Sequence, residues 1–278
     1  MIRVAETVDD LRSCVAVCNA VHPDAPVTLD LLQRSSGSFL LHGDDGYAYV
    51  DRSSVPGSAF AMVRVQPGRR RAGIGSALLA SARETAASLG CESAWGRVGD
   101  DESLGFVTRR GFDELMREIN VALEVWPGDG DVAPGIEELR PEHLEGAYEV
   151  CVACMPESSV PQRAEAPPFA DWARRVTRET PVAFVAVDPI DGVVGFASLH
   201  DTGSPTRLEH GLTAVLPSHR RRGIATALKR AQIAWAGRNG YRELVTEMVD
   251  GNAPMRAVNE QLGYRPRPAT VVVSGSTA

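Results

Sequence analysis

The sequence predicts an α+β fold, a mixed sheet packed against helices, that occurs twice in the chain. The same order of apolar strand, basic turn, glycine and helix appears in residues 65–81 (VQPGRRRAGIGSALLAS) and 215–231 (VLPSHRRRGIATALKRA). An offset of 150 residues aligns residues 63–79 with 213–229 and gives eight identities. In each half, short strands joined by Gly- and Pro-containing turns precede this motif, and a strand and a short helix follow it. Because a period near 150 residues matches one ordinary domain, we expect a duplicated domain.

The predicted boundaries follow from the repeat. The Pro/Gly/Asp-rich segment 126–135 (WPGDGDVAPG) is typical of a linker. We therefore expect an N-terminal domain over residues 1–125 and a C-terminal domain over residues 136–278.

The expected elements of the first half follow from periodicity and turn residues. Strands are expected at Ile2–Ala5, Phe39–His42, Tyr47–Val50, Phe60–Val65, Ser93–Val98 and Phe112–Val125. Helices are expected from a cap at Asp9 or Asp10 to Ala20, at Thr28–Arg34, from Gly73 to Leu89, and at Glu102–Arg110. The strands between Phe39 and Val65 are expected to be antiparallel, since Gly-Asp-Asp-Gly and Pro-Gly turns separate them.

The second half repeats the order. Its strands are expected at Ile136–Leu139, Val182–Asp188, Val193–His200, Arg207–Leu216, Glu243–Val249 and Thr270–Val273. Its helices are expected at Pro141–Cys154, Phe169–Thr180, Gly223–Asn239 and Asn252–Leu262. The Pro-rich loop Met155–Pro168 has the length of a substrate loop, and a plain surface excursion is an equal alternative.

The two basic turns have the features of an anion site. We name residues 65–76 the N-terminal cradle and residues 215–226 the C-terminal cradle. A helix start carries unpaired backbone N–H groups and partial positive charge, and a glycine there lets a phosphate approach closely. The candidate anion-binding residues are Val65, Arg70, Arg71, Ala72, Gly73, Ile74, Gly75 and Ser76, and Arg220, Arg221, Arg222, Gly223, Ile224, Ala225 and Thr226.

Composition restricts the class of protein. The formal net charge of −7 and the pI near 5.4 argue against nucleic acid as a partner. No apolar run approaches the length of a membrane span and no signal pattern opens the chain, so a soluble, cytoplasmic protein without a membrane partner is expected. The chain has five cysteines, and an odd number argues against a disulfide framework, in which all cysteines would pair. The pairs Cys14/Cys18 and Cys151/Cys154 fit a metal or redox site less well than small buried helix residues, and no metal is expected.

The cradle residues carry a resemblance to a known family. Both Arg220–Ala225 (RRRGIA) and Arg70–Gly75 (RRAGIG) are similar to the R/Q-x-x-G-x-G/A acyl-CoA motif of the GNAT superfamily of N-acyltransferases. Residues 246–264 (TEMVDGNAPMRAVNEQLGY) resemble that family's fifth strand and fourth helix, and the duplicated layout resembles two-domain GNAT proteins of the mycothiol synthase type. The resemblance implies two tandem GNAT-like domains with acetyl-CoA as co-substrate.

The resemblance also implies how the cofactor is held. The pantetheine arm would pair with strand backbone at Thr213, Ala214 and Val215, and an Asn at the position of Asn259 would contact the cofactor. Asn252 is a further candidate, although the cap of the following helix is the alternative interpretation. Many members use a tyrosine acid four residues before the glycine that closes this helix, but Val107 and Asn259 occupy that position in the two halves.

Three titratable residues are candidates for the base that deprotonates an amine. Glu209 and His210 lie on the strand before the C-terminal cradle, where alternation directs them to opposite faces, and Glu247 lies on the adjoining strand. The alternative interpretation of each is a polar residue that faces solvent on a half-exposed strand and has no catalytic role. The corresponding first-half segment, Phe60–Val63, has no titratable residue, so chemistry is expected in the second half.

Three hypotheses follow. The first is an acetyl-CoA-dependent N-acetyltransferase acting on a small primary amine, with a catalytic C-terminal domain and a degenerate N-terminal one. The second is an acyl-CoA sensor or scaffold without turnover, which the missing tyrosine favours. Acetylation of peptide N-termini is a third, disfavoured because the sequence suggests no peptide groove. Duplication is compatible with a pseudo-dimeric monomer or a homodimer.

Overall fold

A computed structural model describes residues 2–23, 25–155 and 166–278. The chain forms two compact units. Unit 1 consists of Met1–Arg117 and Thr270–Ala278, and unit 2 consists of Glu118–Ala269.

Unit 1 contains the elements that the first half was expected to form. They are β1 (Arg3–Val4), α1 (Val8–Val21), α2 (Leu29–Gln33), β2 (Ser38–His42), β3 (Gly46–Arg52), β4 (Ser58–Val65), α3 (Ile74–Ser88), β5 (Ser93–Val98) and α4 (Asp101–Thr108). The strands β1 to β4 pair antiparallel, as predicted for Phe39–Val65. Helix α3 covers one face of this sheet through Ile74, Leu78 and Ala82, and α1 packs in a separate cluster through Cys14, Val17 and Cys18.

Strand β6 (Phe112–Glu124) leads from unit 1 into unit 2, whose elements repeat the order. They are β7 (Ile136–Glu138), α5 (Leu144–Cys154), α6 (Phe169–Arg178), β8 (Val182–Asp188), β9 (Gly192–Asp201), β10 (Arg207–Val215), α7 (Ile224–Arg238), β11 (Glu243–Val249) and α8 (Ala253–Gln261). Strand β12 (Arg265–Ser276) closes the chain and is longer than the predicted Thr270–Val273. The prediction of an α+β fold with a mixed sheet is confirmed.

Two cores flank the sheet of unit 2. The helix α7 packs on one face through Leu228, Ala231 and Ile233. The helices α5 and α6 pack on the other through Val150, Cys151 and Trp172. Trp235 lies against the α7 core and stacks on Tyr241 with 6.0 Å between ring centroids, so it has a packing role.

The last strand of each sequence half pairs in the opposite unit. Residues 118–124 of β6 run antiparallel to β11 in unit 2, and residues 271–276 of β12 run antiparallel to β5 in unit 1. The predicted domains, 1–125 and 136–278, keep each of these strands with its own half. The compact units therefore differ from the predicted domains by a reciprocal exchange of the closing strands.

The start of α1 corrects one prediction. The cap is Thr7, not Asp9 or Asp10: the Thr7 hydroxyl accepts a hydrogen bond from the Asp10 N–H, and the Asp10 carboxylate accepts one from the Thr7 N–H. Asp10 therefore occupies the third helical position of a capping box, where a carboxylate also meets the positive end of the helix.

The five cysteines are free, buried thiols. In the described part of the chain, no helix has the length and apolarity that a bilayer crossing requires. Most of the predicted substrate loop lies outside the described residues, since positions 156–165 are not among them.

Candidate functional site

The two cradles have the same backbone conformation. Arg71 and Arg221 have φ angles of 65° and 61°, and Gly73 and Gly223 have φ angles of 83° and 81°. Among the described residues, Arg71 and Arg221 are the non-glycine residues with positive φ. A left-handed arginine costs on the order of 1–2 kcal/mol, so such a conformation is typical of a functional turn. Alternating right- and left-handed residues direct successive N–H groups into one concavity, which is an anion-binding geometry.

The start of α7 leaves its first N–H groups available. The cap residue, Gly223, has no side chain, and no side-chain hydrogen bond closes the helix start. The N–H groups of Ile224, Ala225 and Thr226 therefore keep their donor capacity, and the helix dipole adds positive potential. The C-terminal cradle can hold a phosphate without any charged side chain.

A cavity of about 720 Å³ opens at this cradle. It is lined by residues from α5, β10, the cradle and α8: Cys154, Leu212, Thr213, Ala214, Val215, Pro217, His219, Arg220, Arg221, Gly223, Ile224, Ala225, Thr226, Asn252, Pro254, Met255 and Val258. The structure thus brings ten of the predicted C-terminal cofactor residues together, and leaves Arg222 and Asn259 out of the lining. The sequence analysis assigned neither Cys154 nor Met255 to the cofactor, although Met255 lies within the segment 246–264 that resembles the family.

The strands diverge beside the cavity. The parallel strands β10 and β11 pair only over Arg207–Glu209 and Glu243–Val245. Beyond them, β10 changes register against β9 between His210 and Thr213. The backbone of Thr213–Val215 is therefore out of the ladder with β11 and can pair with an extended ligand.

Gly211 makes the irregularity possible. A Cβ atom at this position would lie 2.4 Å from the Ser198 Oγ and 2.5 Å from the His200 Nε2. A side chain here would force the Ser198 and His200 side chains out of their positions, which glycine avoids.

The side chains of the cradle brace the turn. The Arg220 Nε donates to the Val215 carbonyl at 3.1 Å, and the Arg222 Nη2 donates to the Ser218 carbonyl at 3.2 Å. His219 is buried, and its Nε2 lies 3.1 Å from the Asp191 Oδ2. These contacts fix the backbone whose N–H groups are the predicted anion site.

The two asparagines have different environments. The Asn252 Oδ1 accepts a hydrogen bond from the Met255 N–H at 3.2 Å, so Asn252 caps α8 as the alternative interpretation held, and it also lines the cavity. Asn259 is 1% exposed, with its Nδ2 3.9 Å from the Met248 Sδ. Its Oδ1 has no hydrogen-bond partner among the described residues.

The three candidate bases do not share a site. Glu209 is paired with Val245 in register, so Glu247, two residues further along β11, lies on the same face of the sheet. Both glutamates are half-buried. His210 lies on the opposite face, as alternation predicted, and the structure does not bring it to the cavity.

His210 belongs to a buried polar cluster beneath α7, formed with Lys229, Gln232 and Tyr264. Its Nδ1 lies 2.9 Å from the Gln232 Oε1, and its Nε2 is hydrogen-bonded to the Tyr264 hydroxyl. A neutral imidazole satisfies both contacts when Nδ1 donates and Nε2 accepts. Burial, reinforced by Lys229, holds the pKa of His210 well below its usual value. We therefore assign His210 to the core and not to proton transfer.

Lys229 is the single lysine of the chain and is 1% exposed. Its Nζ lies 5.2 Å from the centre of the Tyr264 ring and has no hydrogen-bond partner among the described residues. Burial lowers the pKa of Lys229 to about 7. The buried environment favours the neutral amine over the charged ammonium.

The N-terminal cradle differs in its surroundings. Arg69 pairs with Asp45 at 2.8 Å, and Arg71 lies 3.6 Å from Glu102. Arg70, Arg71, Ala72 and Gly73 are exposed, Ile74 is buried, and Val65, Gly75 and Ser76 are half-buried. That the N-terminal cradle binds a cofactor stays a prediction.

Comparison with known proteins identifies the family to which the chain belongs. The profile of the acetyltransferase (GNAT) family matches residues 16–112 and 144–264. A mycothiol acetyltransferase from Actinosynnema mirum is 27% identical and covers 94% of this chain and 90% of its own length.

Solved structures show the same fold over the whole chain. A GCN5-related N-acetyltransferase from Sphaerobacter thermophilus superposes with a TM-score of 0.77 at 17% identity, covering 100% of this chain and 95% of its own. A tandem GNAT protein from the clavulanic acid biosynthesis pathway superposes with a TM-score of 0.77 at 21% identity, covering 100% and 99%. The family profile matches two segments, and each of them contains a cradle with left-handed residues. The chain therefore belongs to the GNAT acetyltransferase family, whose members use acetyl-CoA, and it contains the family's domain twice.

Proposed function

We propose that this chain transfers the acetyl group of acetyl-CoA to the primary amine of a small molecule, and that the reaction takes place in unit 2. The observation that carries the proposal is the cavity where the C-terminal cradle meets the diverging strands β10 and β11. It joins an anion site and an unpaired strand edge within one unit, and these suit the pyrophosphate and the pantetheine arm. The strand face that carries Glu209 and Glu247 lies in the same unit, outside the cavity lining, and suits the amine.

The chain's own residues suggest how acetyl-CoA is held. The N–H groups from Arg221 to Thr226 would receive the pyrophosphate, as the positive φ of Arg221 and the open helix start favour. The backbone of Thr213–Val215 would pair with the pantetheine amides.

Glu209 is the base that we propose. An incoming ammonium would give its proton to the Glu209 carboxylate, directly or through a water molecule, and the free amine would attack the acetyl carbonyl carbon. The new C–N bond forms as the C–S bond breaks, and the electron pair leaves with sulfur. The proton that the new amide nitrogen loses passes to the thiolate, directly or through water, and the products are the amide and CoA thiol. Since a thiol with an ordinary pKa near 8.5 is a good leaving group as the thiolate, the reaction does not depend on a tyrosine at position 259.

The similarity to a mycothiol acetyltransferase supports a small polar amine as acceptor. The half-buried face that carries Glu209 and Glu247 agrees with it, because two carboxylates attract a cationic acceptor. A panel of amino sugars, aminoglycosides and cysteine amides, followed by the release of CoA thiol, tests this class.

A non-catalytic acyl-CoA sensor is the second candidate. The presence of Val107 and Asn259 where many relatives have an acid favours it. Acetyl-CoA binding in a calorimeter without CoA release for any amine of the panel would decide for the sensor.

The substitution Glu209→Gln is expected to lower kcat by about 100-fold or more, because a general base accelerates such a reaction by at least about that factor. The dissociation constant of acetyl-CoA should stay the same, since Glu209 does not line the cavity. Steady-state rates and calorimetry on one preparation measure both quantities.

The exposed Glu260→Gln on α8 is the matched control and should change neither quantity. The pH–rate profile of the wild-type chain should lose its acidic limb in the Glu209 variant. An unchanged profile between pH 5 and 9 would remove Glu209 from the mechanism.

A further inference from the structure

The short helices α4 and α8 occupy equivalent positions in the two units. Their cap residues are Asp100 and Asn252, and the glycines that follow them, Gly111 and Gly263, have φ angles of 78° and 89°. The offset between these pairs is 152 residues. Phe106 therefore corresponds to Val258, and Arg110 corresponds to Leu262.

In unit 2 this helix leaves space beside the cradle. Val258 on α8 and Ala225 on α7 both line the cavity, which lies between the starts of the two helices. The equivalent residues of unit 1 are Phe106 and Gly75, so the larger side chain faces the smaller one.

In unit 1 the larger side chain lies on the helix start. A Cβ atom built on Gly75 would lie 3.5 Å from the Phe106 Cζ and 3.7 Å from the Val65 Cγ2. The ring thus lies next to the first turn of α3, where an added methyl group would just touch it, and it also packs in the cluster formed by Leu79, Val98 and Phe112.

Arg110 holds the ring in this position. Its guanidinium carbon lies 3.9 Å from the centre of the Phe106 ring, and its Nη1 donates to the Phe106 carbonyl at 2.9 Å. Its Nη2 donates to the Ser76 Oγ at 2.7 Å. Since Ser76 is the third residue of α3, this bond connects the end of α4 to the start of the cradle helix.

We propose that Phe106 and Arg110 close the cofactor cleft of unit 1, so that the chain binds one acetyl-CoA molecule although it has two cradles. The proposal rests on the proposed function for unit 2. The ring lies beside Gly75 and fills the space that the cavity occupies in unit 2, and the arginine connects α4 to α3. The N-terminal cradle keeps its backbone shape without an accessible groove for the pantetheine arm.

The chain supplies the substitutions that test this closure. The double variant Phe106→Val and Arg110→Leu gives α4 the residues that α8 has at the same positions. Titration with acetyl-CoA in a calorimeter should give one site for the wild-type chain and two for the double variant. The exposed Arg109→Leu on the same helix is the control and should keep one site.

The outcomes are distinct. Two sites in the wild-type chain, or one site in both proteins with unchanged melting temperatures, would overturn the closure. Adding Gly223→Glu to the double variant should leave one site, which identifies the new site as the one in unit 1. If the wild-type chain binds no acetyl-CoA, the proposed function fails. A single site that then appears in the double variant would still support the closure, and no site in either would overturn both proposals.

Discussion

Replacing Gly223 by glutamate is expected to weaken acetyl-CoA binding by at least about 100-fold and to abolish turnover. The new carboxylate would stand at the start of α7, where the proposed pyrophosphate is held by N–H groups. Two like charges about 4 Å apart near a protein surface repel by about 4 kcal/mol, which corresponds to roughly a thousandfold in binding. Calorimetric titration with acetyl-CoA measures the loss.

Gly73→Glu is a closely matched control. Gly73 and Gly223 have φ angles of 83° and 81°, and an added Cβ meets nothing within 4 Å at either position. Both substitutions therefore impose the same left-handed strain, while only Gly223 adjoins the cavity. Gly73→Glu should leave binding unchanged. Gly223→Ala isolates the strain and should cost about tenfold or less. Equal loss from the two glutamate variants would refute the assignment of the cofactor to unit 2.

Lys229→Met is expected to stabilise the protein at pH 7 and to remove a rise in stability that the wild-type chain shows at alkaline pH. The pKa of Lys229 is about 7 in the fold against 10.5 for a free lysine. Between these values the unfolded chain binds a proton that the folded chain does not, so the free energy of unfolding increases with pH. The increase is about 1.4 kcal/mol per pH unit, or about 5 kcal/mol over the whole window. Below pH 7 both states are protonated, and the destabilisation is complete and constant.

Urea unfolding at pH 7 and pH 9 measures this difference. The methionine variant should gain much less stability than the wild-type chain over the same interval. Neither His210 nor Tyr264 changes the free energy of unfolding between pH 7 and pH 9. The pKa of His210 is lowered in the fold, so its effect lies below pH 6.5, where stability falls as the pH falls. Burial raises the pKa of Tyr264, so its effect lies above pH 10. Because Lys229 is the single lysine, lysine-selective ¹⁵N labelling gives one side-chain resonance whose titration reports the pKa directly. A titration midpoint near 10.5 would contradict the buried neutral amine.

The fold and the cofactor site could be predicted from particular residues. Glycine at positions 73 and 223 indicated both helix starts, because these positions need a positive φ that few other residues adopt. Alternation directed Glu209 and His210 to opposite faces of β10. The alternation did not determine which face packs against α7, because both faces of this strand carry polar as well as apolar residues. The burial of His210 followed only once Gln232 and Tyr264 were in contact with it.

Other features lie beyond any local pattern. Cys154 reaches the cavity because α5 ends beside β10, a contact between residues that are 61 positions apart. The closure of unit 1 depends on Phe106 lying beside Gly75, and neither residue is unusual in its own helix. The exchanged strands are equally hidden, because β6 and β12 would show the same alternation beside either partner.

The exchanged strands determine when the protein can finish folding on the ribosome. The partners of β5 are residues 271–276, with Gly96 opposite Val273. Until residues 271–276 emerge, β5 has an unpaired edge of the kind that promotes aggregation. Unit 2 has its closing strand, residues 118–124, in place much earlier. The unit that is synthesised first is therefore completed last, and a chain truncated before residue 270 would leave unit 1 with an open sheet.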